Sequence, residues 1–375
     1  MRITFLCAGA EPRGDGVGDY TRALAGQLEE SGHATRILAL NDRSGGSDGL
    51  AERRFSASVP WDARVGLAAE AVRDFDPDLV SVQLVPYGFH PKGLCFQTAR
   101  GLRSIIGGRR TQLMLHELWI GEAEEYGWKD RVIGRVQKHL VLDLVRQLRP
   151  AVVHTSNPVY RALLHRNEVA ADELPLFGNV PISDDSDRGW LVKRLSSEQR
   201  SNLLLLGLFG TIHPQWSAER LLAGCAAGGR KPVILSIGRI GDPGAEILRH
   251  TQERHGVRCM ELGEQPSNRI SQFLHEVDLG VATSPWALIG KSGTVAAMLE
   301  HGLPVVATRE DWKLRVGTTP EPAPHPLLFR LNERFSAALR AGLPRVPKSS
   351  RLPEVAAEFL ASVGDRSGRK LELAA

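Results

Sequence analysis

The sequence predicts an α/β protein built from two doubly wound domains, each a parallel sheet covered by helices. Three observations carry that expectation. Apolar runs of strand length alternate with helical periodicities along most of the chain. The alternation is interrupted by one polar run, Ser183-Asp-Asp-Ser-Asp-Arg-Gly189, which reads as a linker. Glycine-rich segments follow apolar runs twice, at residues 9–18 and again around Gly290 and Gly293, where a strand hands over to a helix. The 375 residues suffice for two domains with their own cores. The expected boundaries are a first domain over 1–180, a linker over 181–201, a second domain over 202–320, and a C-terminal loop and helix over 321–375.

Residues 2–8 predict a buried strand, residues 19–31 a helix with Leu24, Ala25 and Leu28 on its apolar face, and residues 34–40 the second strand. Gly32 stops the helix between them. This βαβ unit implies parallel strands with crossover helices. The pattern continues with a helix at 63–74, a strand at 79–85, a helix at 94–106, a strand at 112–116, a long helix ending near Leu148, and a strand at 151–155. A second cycle follows the linker: strand 202–209, helix 217–227, strand 232–237, helix 243–255, strand 257–262 and helix 267–275. It leads into an apolar run over 277–283 and the stretch 284–308, read as loop, helix, turn and strand. The segment 317–326 is proline-rich loop, and 352–363 reads as a final helix. Two such sheets in tandem are expected to face each other across a cleft, with ligands at the carboxyl ends of the strands.

Composition narrows the function. With 42% hydrophobic and 24% charged residues the chain is globular rather than disordered. The net charge of +4 comes without any Lys/Arg block interleaved with aromatics, so no nucleic-acid partner is expected. Cys7, Cys95, Cys225 and Cys259 are scattered without Cys-x-x-Cys spacing, which argues against a zinc site and a disulfide framework. The first apolar run is too short for a signal peptide, and no segment approaches the roughly 18 apolar residues of a membrane span. A cytoplasmic protein is expected. The 129–149 helix, with Arg131, Arg135, Lys138, Arg146 and Arg149 on its polar face, is a candidate for peripheral contact with the inner face of a membrane. The alternative is an outer helix with a solvated face.

The chemistry-bearing stretch is Gly290-Lys-Ser-Gly-Thr294. Backbone N–H groups at a helix start, two hydroxyls and an ammonium suit a phosphate. The alternative is that Ser292 or Thr294 only caps the helix. A Walker A loop is excluded, because it needs a glycine where Pro285 stands. In the first domain, Gly16, Val17, Gly18, Asp19 and Tyr20 open a helix after a strand and let backbone approach a diphosphate or an acceptor, or simply shape a tight turn. His116 stands at a strand end, where it can hydrogen-bond a substrate hydroxyl or be an ordinary satisfied histidine. His213 and Arg239 follow strands of the second domain and are candidates to face phosphates.

Gly14-Asp-Gly-Val-Gly18 followed by Asp19-Tyr-Thr-Arg-Ala-Leu-Ala25, with Ser31-Gly-His33 before the second strand, resembles the opening of family 4 glycosyltransferases of the GT-B fold. His116-Glu-Leu-Trp119, Phe177-Gly-Asn-Val-Pro181, Phe209-Gly-Thr-Ile-His213 and Gly302-Leu-Pro-Val-Val-Ala-Thr308 resemble further segments of that family in the same order. The resemblance spans residue 1 to about residue 312. It implies two Rossmann-like domains, a nucleotide sugar as co-substrate with no cofactor, and transfer with retention and without a metal. The implied acceptor is a glycan, a lipid-linked sugar or a small molecule. On this resemblance His116 is the catalytic candidate, and Gly210, Thr211, His213, Arg239, Gly290, Lys291, Ser292, Gly293 and Thr294 form the nucleotide and phosphate site.

The departures are specific. The family's two glutamates fall at Ile289 and Ala297, and its diphosphate-clamping arginine and lysine fall near Thr211 and Gln215 or Trp216. Lys291 with the amides of Ser292 to Thr294 is the expected replacement clamp. Two other readings stand beside the transferase. One is a non-catalytic GT-B relative that binds a nucleotide sugar or a partner. The other is a dinucleotide-dependent oxidoreductase, supported by Asp42 just past the second strand and weakened because Gly14-x-Gly16-x-Gly18 is not G-x-G-x-x-G.

Overall fold

The computed structural model describes residues 1–11, 16–48, 51–183, 189–195 and 200–364; Gly14 and Asp15, residues 184–188 and 196–199 of the expected linker, and residues 365–375 lie outside the described residues. The chain divides into two units.

The first unit runs to Pro175 and regains the chain at Leu314–Pro320 and from Leu352. Its elements are β1 (Arg2–Cys7), α1 (Gly16–Glu30), β2 (Ala34–Asp42), β3 (Gly46–Asp48), β4 (Glu52–Ser56), α2 (Trp61–Phe75), β5 (Leu79–Leu84) and the single turn α3 (Pro86–Phe89). After these come α4 (Thr98–Ile106), β6 (Thr111–Leu115), α5 (Trp128–Leu148), β7 (Val152–Thr155), α6 (Pro158–His165) and β8 (Asp172–Glu173). They form an eight-stranded sheet in the order β3-β4-β2-β1-β5-β6-β7-β8, parallel except for β3. The central β5 and β6 are buried at every position, so they read as continuous runs rather than alternating ones.

The second unit comprises Leu176–Lys313 and Glu321–Arg351. Its elements are α7 (Val192–Leu195), β9 (Leu203–Phe209), α8 (Glu219–Cys225), β10 (Lys231–Ile237), α9 (Gly241–His255), β11 (Arg258–Glu261), α10 (Ser267–Glu276) and β12 (Leu279–Pro285). A 3-10 turn over Trp286–Lys291 leads to α11 (Gly293–Glu300), β13 (Val305–Arg309), β14 (Leu328–Arg330) and α12 (Glu333–Ala341). The six strands are ordered β11-β10-β9-β12-β13-β14, all parallel. Within β9, Leu203 and Leu205 belong to one core cluster and Leu204, Leu206 and Leu208 to the other, the two-residue alternation of a strand buried on both faces. Trp190, Leu191 and Leu195 are buried in the first of these clusters. The last helix, α13 (Leu352–Gly364), belongs to the first unit, where Phe359 packs 6.2 Å from Phe5 between ring centroids.

The doubly wound α/β fold is as the sequence predicts, with several additions. β3 and β4 extend the first sheet beyond β2, although Glu52-Arg-Arg carries little strand signal; buried Glu52 is held by Arg22 at 2.7 Å. α6 is announced by Asn157-Pro158, the Asn157 side chain accepting from the Tyr160 N–H at 3.0 Å with proline in the first turn.

At the amino ends of β9 and β12 one carboxylate ties three segments together. Asp278 Oδ2 accepts the Leu205 N–H at 2.8 Å and an Arg230 N–H at 2.9 Å, while Oδ1 accepts from Arg200 at 2.8 Å. Asp278→Ala leaves two guanidinium groups and one strand N–H without that partner. It is expected to destabilise the fold by about 1–3 kcal/mol, whereas Glu253→Ala, which breaks an exposed pair with Arg249, should cost under about 0.5 kcal/mol. Urea denaturation of the two variants checks the difference.

Candidate functional site

Open parallel sheets bind ligands beyond the carboxyl ends of their strands, where the strand order reverses. In the second unit the reversal lies between β9 and β12, because the chain steps from β9 outward to β10 and β11 and returns on the other side of β9. The turns leaving β9 and β12 therefore flank the natural crevice. Gly210 adopts φ +76°, a conformation glycine takes without strain, and donates its N–H to Ile237 O at 2.9 Å. A Cβ at Gly210 would lie 3.2 Å from the Thr294 methyl, so the first turn of α11 packs directly on the turn that ends β9.

Ser292 is the N-cap of α11: its Oγ accepts from the Val295 N–H at 3.4 Å and lies 3.0 Å from Thr294 Oγ1. The Ser292 hydroxyl thus caps the helix, and the Thr294 hydroxyl hydrogen-bonds to it. Lys291 closes the 3-10 turn just before the cap. Gly290 and Gly293 lie in the same half-buried segment.

The structure adds a residue that the sequence reading passed over. Arg309, the last residue of β13, has a side chain only 5% exposed. Its Nη1 donates to His213 Nδ1 at 2.9 Å, and its Nη2 donates to Gln215 Oε1 at 2.9 Å and to Asp311 Oδ2 at 3.2 Å. A guanidinium has no acceptor, so His213 Nδ1 carries the lone pair and Nε2 the proton. Burial holds the His213 pKa below its ordinary value, with the positive charges of Arg309 and Lys291 acting the same way and Asp311 opposing them. Lys291 is therefore within electrostatic reach of the Arg309–His213 pair. An anion in this crevice meets a lysine, a mostly buried arginine and the positive end of a helix. A signal existed in the sequence: an arginine immediately follows Val-Val-Ala-Thr308 at the carboxyl end of a strand.

Thr211 is exposed beside Gly210. Arg239 makes a bidentate pair with Glu264 at 3.1 and 3.3 Å, both side chains more than 60% exposed. Ile289 and Ala297, the positions that correspond by resemblance to two glutamates, are buried in the core. Gly178 packs so closely on α11 that a Cβ there would sit 2.7 Å from Ala297 Cα. One turn on, buried Glu300 accepts the Gly178 N–H at 2.8 Å, so this carboxylate anchors the 177–181 segment.

In the first unit the strand order reverses between β1 and β5. Gly18 lets α1 start hard against the segment leaving β1, since a Cβ would lie 2.8 Å from Ala10 Cα. At Gly16 the space for a Cβ is open. Val17 O accepts from Thr21 Oγ1 at 2.7 Å, and Asp19 pairs with Arg22 at 3.1 Å. Tyr20 is buried, and its ring meets the His116 ring edge-on, with centroids 4.9 Å apart.

The sequence reading left His116 isolated; the structure brings Tyr20 and a buried polar row to it. His116 Nε2 lies 2.8 Å from Gln83 Oε1, Gln83 Nε2 donates to Ser81 Oγ at 2.7 Å, Ser81 Oγ donates to Gln112 Oε1 at 2.6 Å, and Gln112 Nε2 lies 3.0 Å from His154 Nδ1. Followed donor to acceptor, this row puts the proton of His116 on Nε2 and leaves Nδ1 as an acceptor. Burial pushes the His116 pKa down to about 3, so the imidazole is neutral at physiological pH. It is suited to accepting a hydroxyl proton in a hydrogen bond and unsuited to acting as a cation. Among the described residues no three His, Cys, Asp or Glu side chains come together as a metal site, and no helix is long and apolar enough to cross a membrane.

No protein-family model matches the sequence, and neither does any curated protein. Solved structures match over nearly the whole chain. HepE (Alr3699) of Anabaena in complex with UDP and glucose aligns with a TM-score of 0.62 at 15% identity, covering 97% of this chain and 100% of that one. The lipopolysaccharide outer core galactosyltransferase WaaB aligns with 0.57 at 12% identity, covering 98% and 100%. The UDP-GlcNAc 2-epimerase of Methanocaldococcus jannaschii aligns with 0.52 at 10% identity, covering 97% and 100%. At these identities the likeness establishes the fold: two Rossmann-like domains of the GT-B type. That a galactosyltransferase and an epimerase share it means the fold does not select the reaction.

The His116 assignment has a direct spectroscopic consequence. Because the depressed pKa belongs to the folded state, the neutral ring should persist as pH falls from 7 to 5. Two-dimensional 15N NMR of the imidazoles should show one histidine with a protonated Nε2 throughout that range, lost in His116→Gln. A His116 signal that titrates near pH 6.5, or a protonated Nδ1, contradicts the arrangement. The sign for stability is the same: a buried neutral histidine stabilises fully above its unfolded pKa of about 6.5 and progressively less as pH falls toward 3.

Proposed function

We propose that the protein is a glycosyltransferase that moves a sugar from a UDP-sugar to a glycan or glycoconjugate acceptor. The observation that carries the proposal is the meeting of Lys291, the α11 amino end and the Arg309–His213 pair at the strand-order reversal of the second sheet. UDP as the nucleotide is supported by the HepE complexes, which contain UDP, UDP with glucose, and UDP-glucose.

Sugar transfer separates an anomeric carbon that gains positive charge from a phosphate that gains negative charge. Lys291 and Arg309 stabilise the departing diphosphate, and the α11 amides add fixed dipoles that need no reorganisation during the reaction. These groups take the place of the arginine and lysine that the resemblance expects near Thr211 and Gln215. Within the first unit, neutral His116 offers Nδ1 to a sugar hydroxyl, next to Tyr20 of the α1 turn. Retention without a metal follows from the family resemblance and is part of the same proposal.

A binding protein without turnover is the second reading, favoured by one observation: Ile289 and Ala297 are core residues, so no carboxylate stands at either position. A thermal-shift series against UDP, GDP, ADP, CMP, dTDP, NAD and NADP addresses both readings. UDP should stabilise the protein, by about 2.7 kcal/mol at a concentration one hundred times its Kd. Lys291→Ala and Arg309→Ala should each weaken UDP at least tenfold, with Arg309→Lys recovering part of the loss. Hydrolysis or transfer of the sugar from a UDP-sugar selects the enzyme over the binding protein, and stabilisation by NAD or NADP alone overturns both.

Peripheral membrane contact through α5 belongs to the same proposal. Trp128, Val132 and Val136 are 71%, 53% and 38% exposed and recur every fourth residue, a bare apolar stripe beside Arg131 and Arg135. Vesicles containing phosphatidylglycerol should pull down the protein at low salt. Trp128→Ser with Val132→Ser should abolish that without altering the UDP shift; retained sedimentation removes α5 as the contact.

A further inference from the structure

We propose that the first unit carries an anion site of its own, built for a phosphate or diphosphate group, in a cavity between α5 and the loop that follows β6. The cavity has a volume of about 350 Å³, within the range of small-molecule sites. Arg131, Arg135 and Lys138 of α5 line it together with Arg166 and Arg315, against a single acid, Glu122. Among the described residues none of the five cations is paired with a carboxylate. Glu122 accepts the Trp119 indole N–H at 2.8 Å. Like charges converging on one space repel one another by about 1 kcal/mol per pair at 4 Å even in water, and a bound oxyanion reverses that sign.

The site is assembled rather than accidental. Gly134 lets α5 press onto the loop so closely that a Cβ would meet Ile120 O at 1.9 Å. Buried Gln137 fixes the floor, its Oε1 accepting the Ile120 N–H at 3.0 Å and its Nε2 donating to Lys92 O at 2.8 Å. Arg131 Nε donates to Tyr126 O at 2.9 Å, and Lys138 lies 5.7 Å from the centre of the Trp119 ring. Arg315 arrives on the Leu314–Pro320 segment, held by its own N–H on Glu122 O at 2.8 Å. Arg131, Lys138 and Arg315 are thus delivered by a fixed piece of backbone or a neighbouring side chain. The inference stands without the transferase reading; joined to it, the phosphate belongs to the acceptor.

Calorimetry with inorganic pyrophosphate reads the site directly. The protein should bind pyrophosphate, and Arg135→Ala with Arg166→Ala should weaken it at least tenfold while leaving the UDP thermal shift unchanged. Arg315→Ala, on a loop where folding is less at stake, should weaken it several-fold, and Lys291→Ala should remove at most a second, separate binding event and leave the pocket's own binding in place. Equal binding by the wild type and both pocket variants overturns the proposal. So does loss of all binding in Lys291→Ala, or loss only in Arg146→Ala with Arg149→Ala at the arginine-rich hollow lined by Thr111 and Ala151. Vesicles containing phosphatidylglycerol distinguish the source of the phosphate. Pocket variants that lose vesicles as well as pyrophosphate identify a lipid headgroup, and variants that lose pyrophosphate alone identify a soluble ligand. Absence of a UDP shift in every protein would remove the transferase reading and leave this site standing.

Discussion

Burial of β9 on both faces is the constraint on which the second unit depends. A strand with leucines turned both ways needs helices on both sides and strands on both edges. That requirement creates the reversal of strand order beside it, and the reversal opens a crevice at the carboxyl end. Gly210 then lets the first turn of α11 approach the turn that ends β9. With hydrogen instead of a methyl group there, the Thr294 methyl packs close to the backbone of that turn. Position of the candidate phosphate site is thus a consequence of core packing.

Charge in the crevice follows from placement as well. Arg309 is largely removed from water, which is costly for a guanidinium unless its donors are satisfied. His213, Gln215 and Asp311 accept from its two Nη groups, and the contact from Nη1 fixes the tautomer of His213 with the lone pair on Nδ1. The arginine is consequently held in one geometry before any ligand arrives. Such preorganisation distinguishes it from Arg239, whose exposed pair with Glu264 costs little to break and orients little.

The order of strands and helices was legible because both sheets are parallel and buried, so their strands appear as apolar runs bounded by glycine and proline. Elements outside that pattern were not legible. β4 has a buried glutamate where an apolar residue is expected, and β8 and β14 have only two and three residues. At the candidate site, Lys291 and the α11 start could be read from local sequence, since a helix beginning is a short-range property. Arg309 and the Gln83, Ser81 and Gln112 row could not be joined to their partners that way. Their contacts cross from strand to strand, and register between parallel strands separated by whole helices is not written in spacing. Ile289 and Ala297 show the converse: the substitutions were plain in the sequence, and the structure adds that both side chains face the core.

If a diphosphate occupies this crevice, the forces that hold it differ in kind from those the family resemblance implies. A carboxylate that grips a ribose contributes directional hydrogen bonds and little long-range attraction. Lys291, Arg309 and a helix terminus contribute attraction that reaches several ångströms and depends weakly on the identity of the base. With alanine and isoleucine at the glutamate positions, binding energy would then rest on the diphosphate more than on the nucleoside. Energy concentrated there grows as the leaving phosphate gains charge, so it favours the transition state over the bound donor. On that condition, the replacement that removes two expected residues would leave the chemically useful part of donor binding to groups fixed through the packing of β9, α11 and β13.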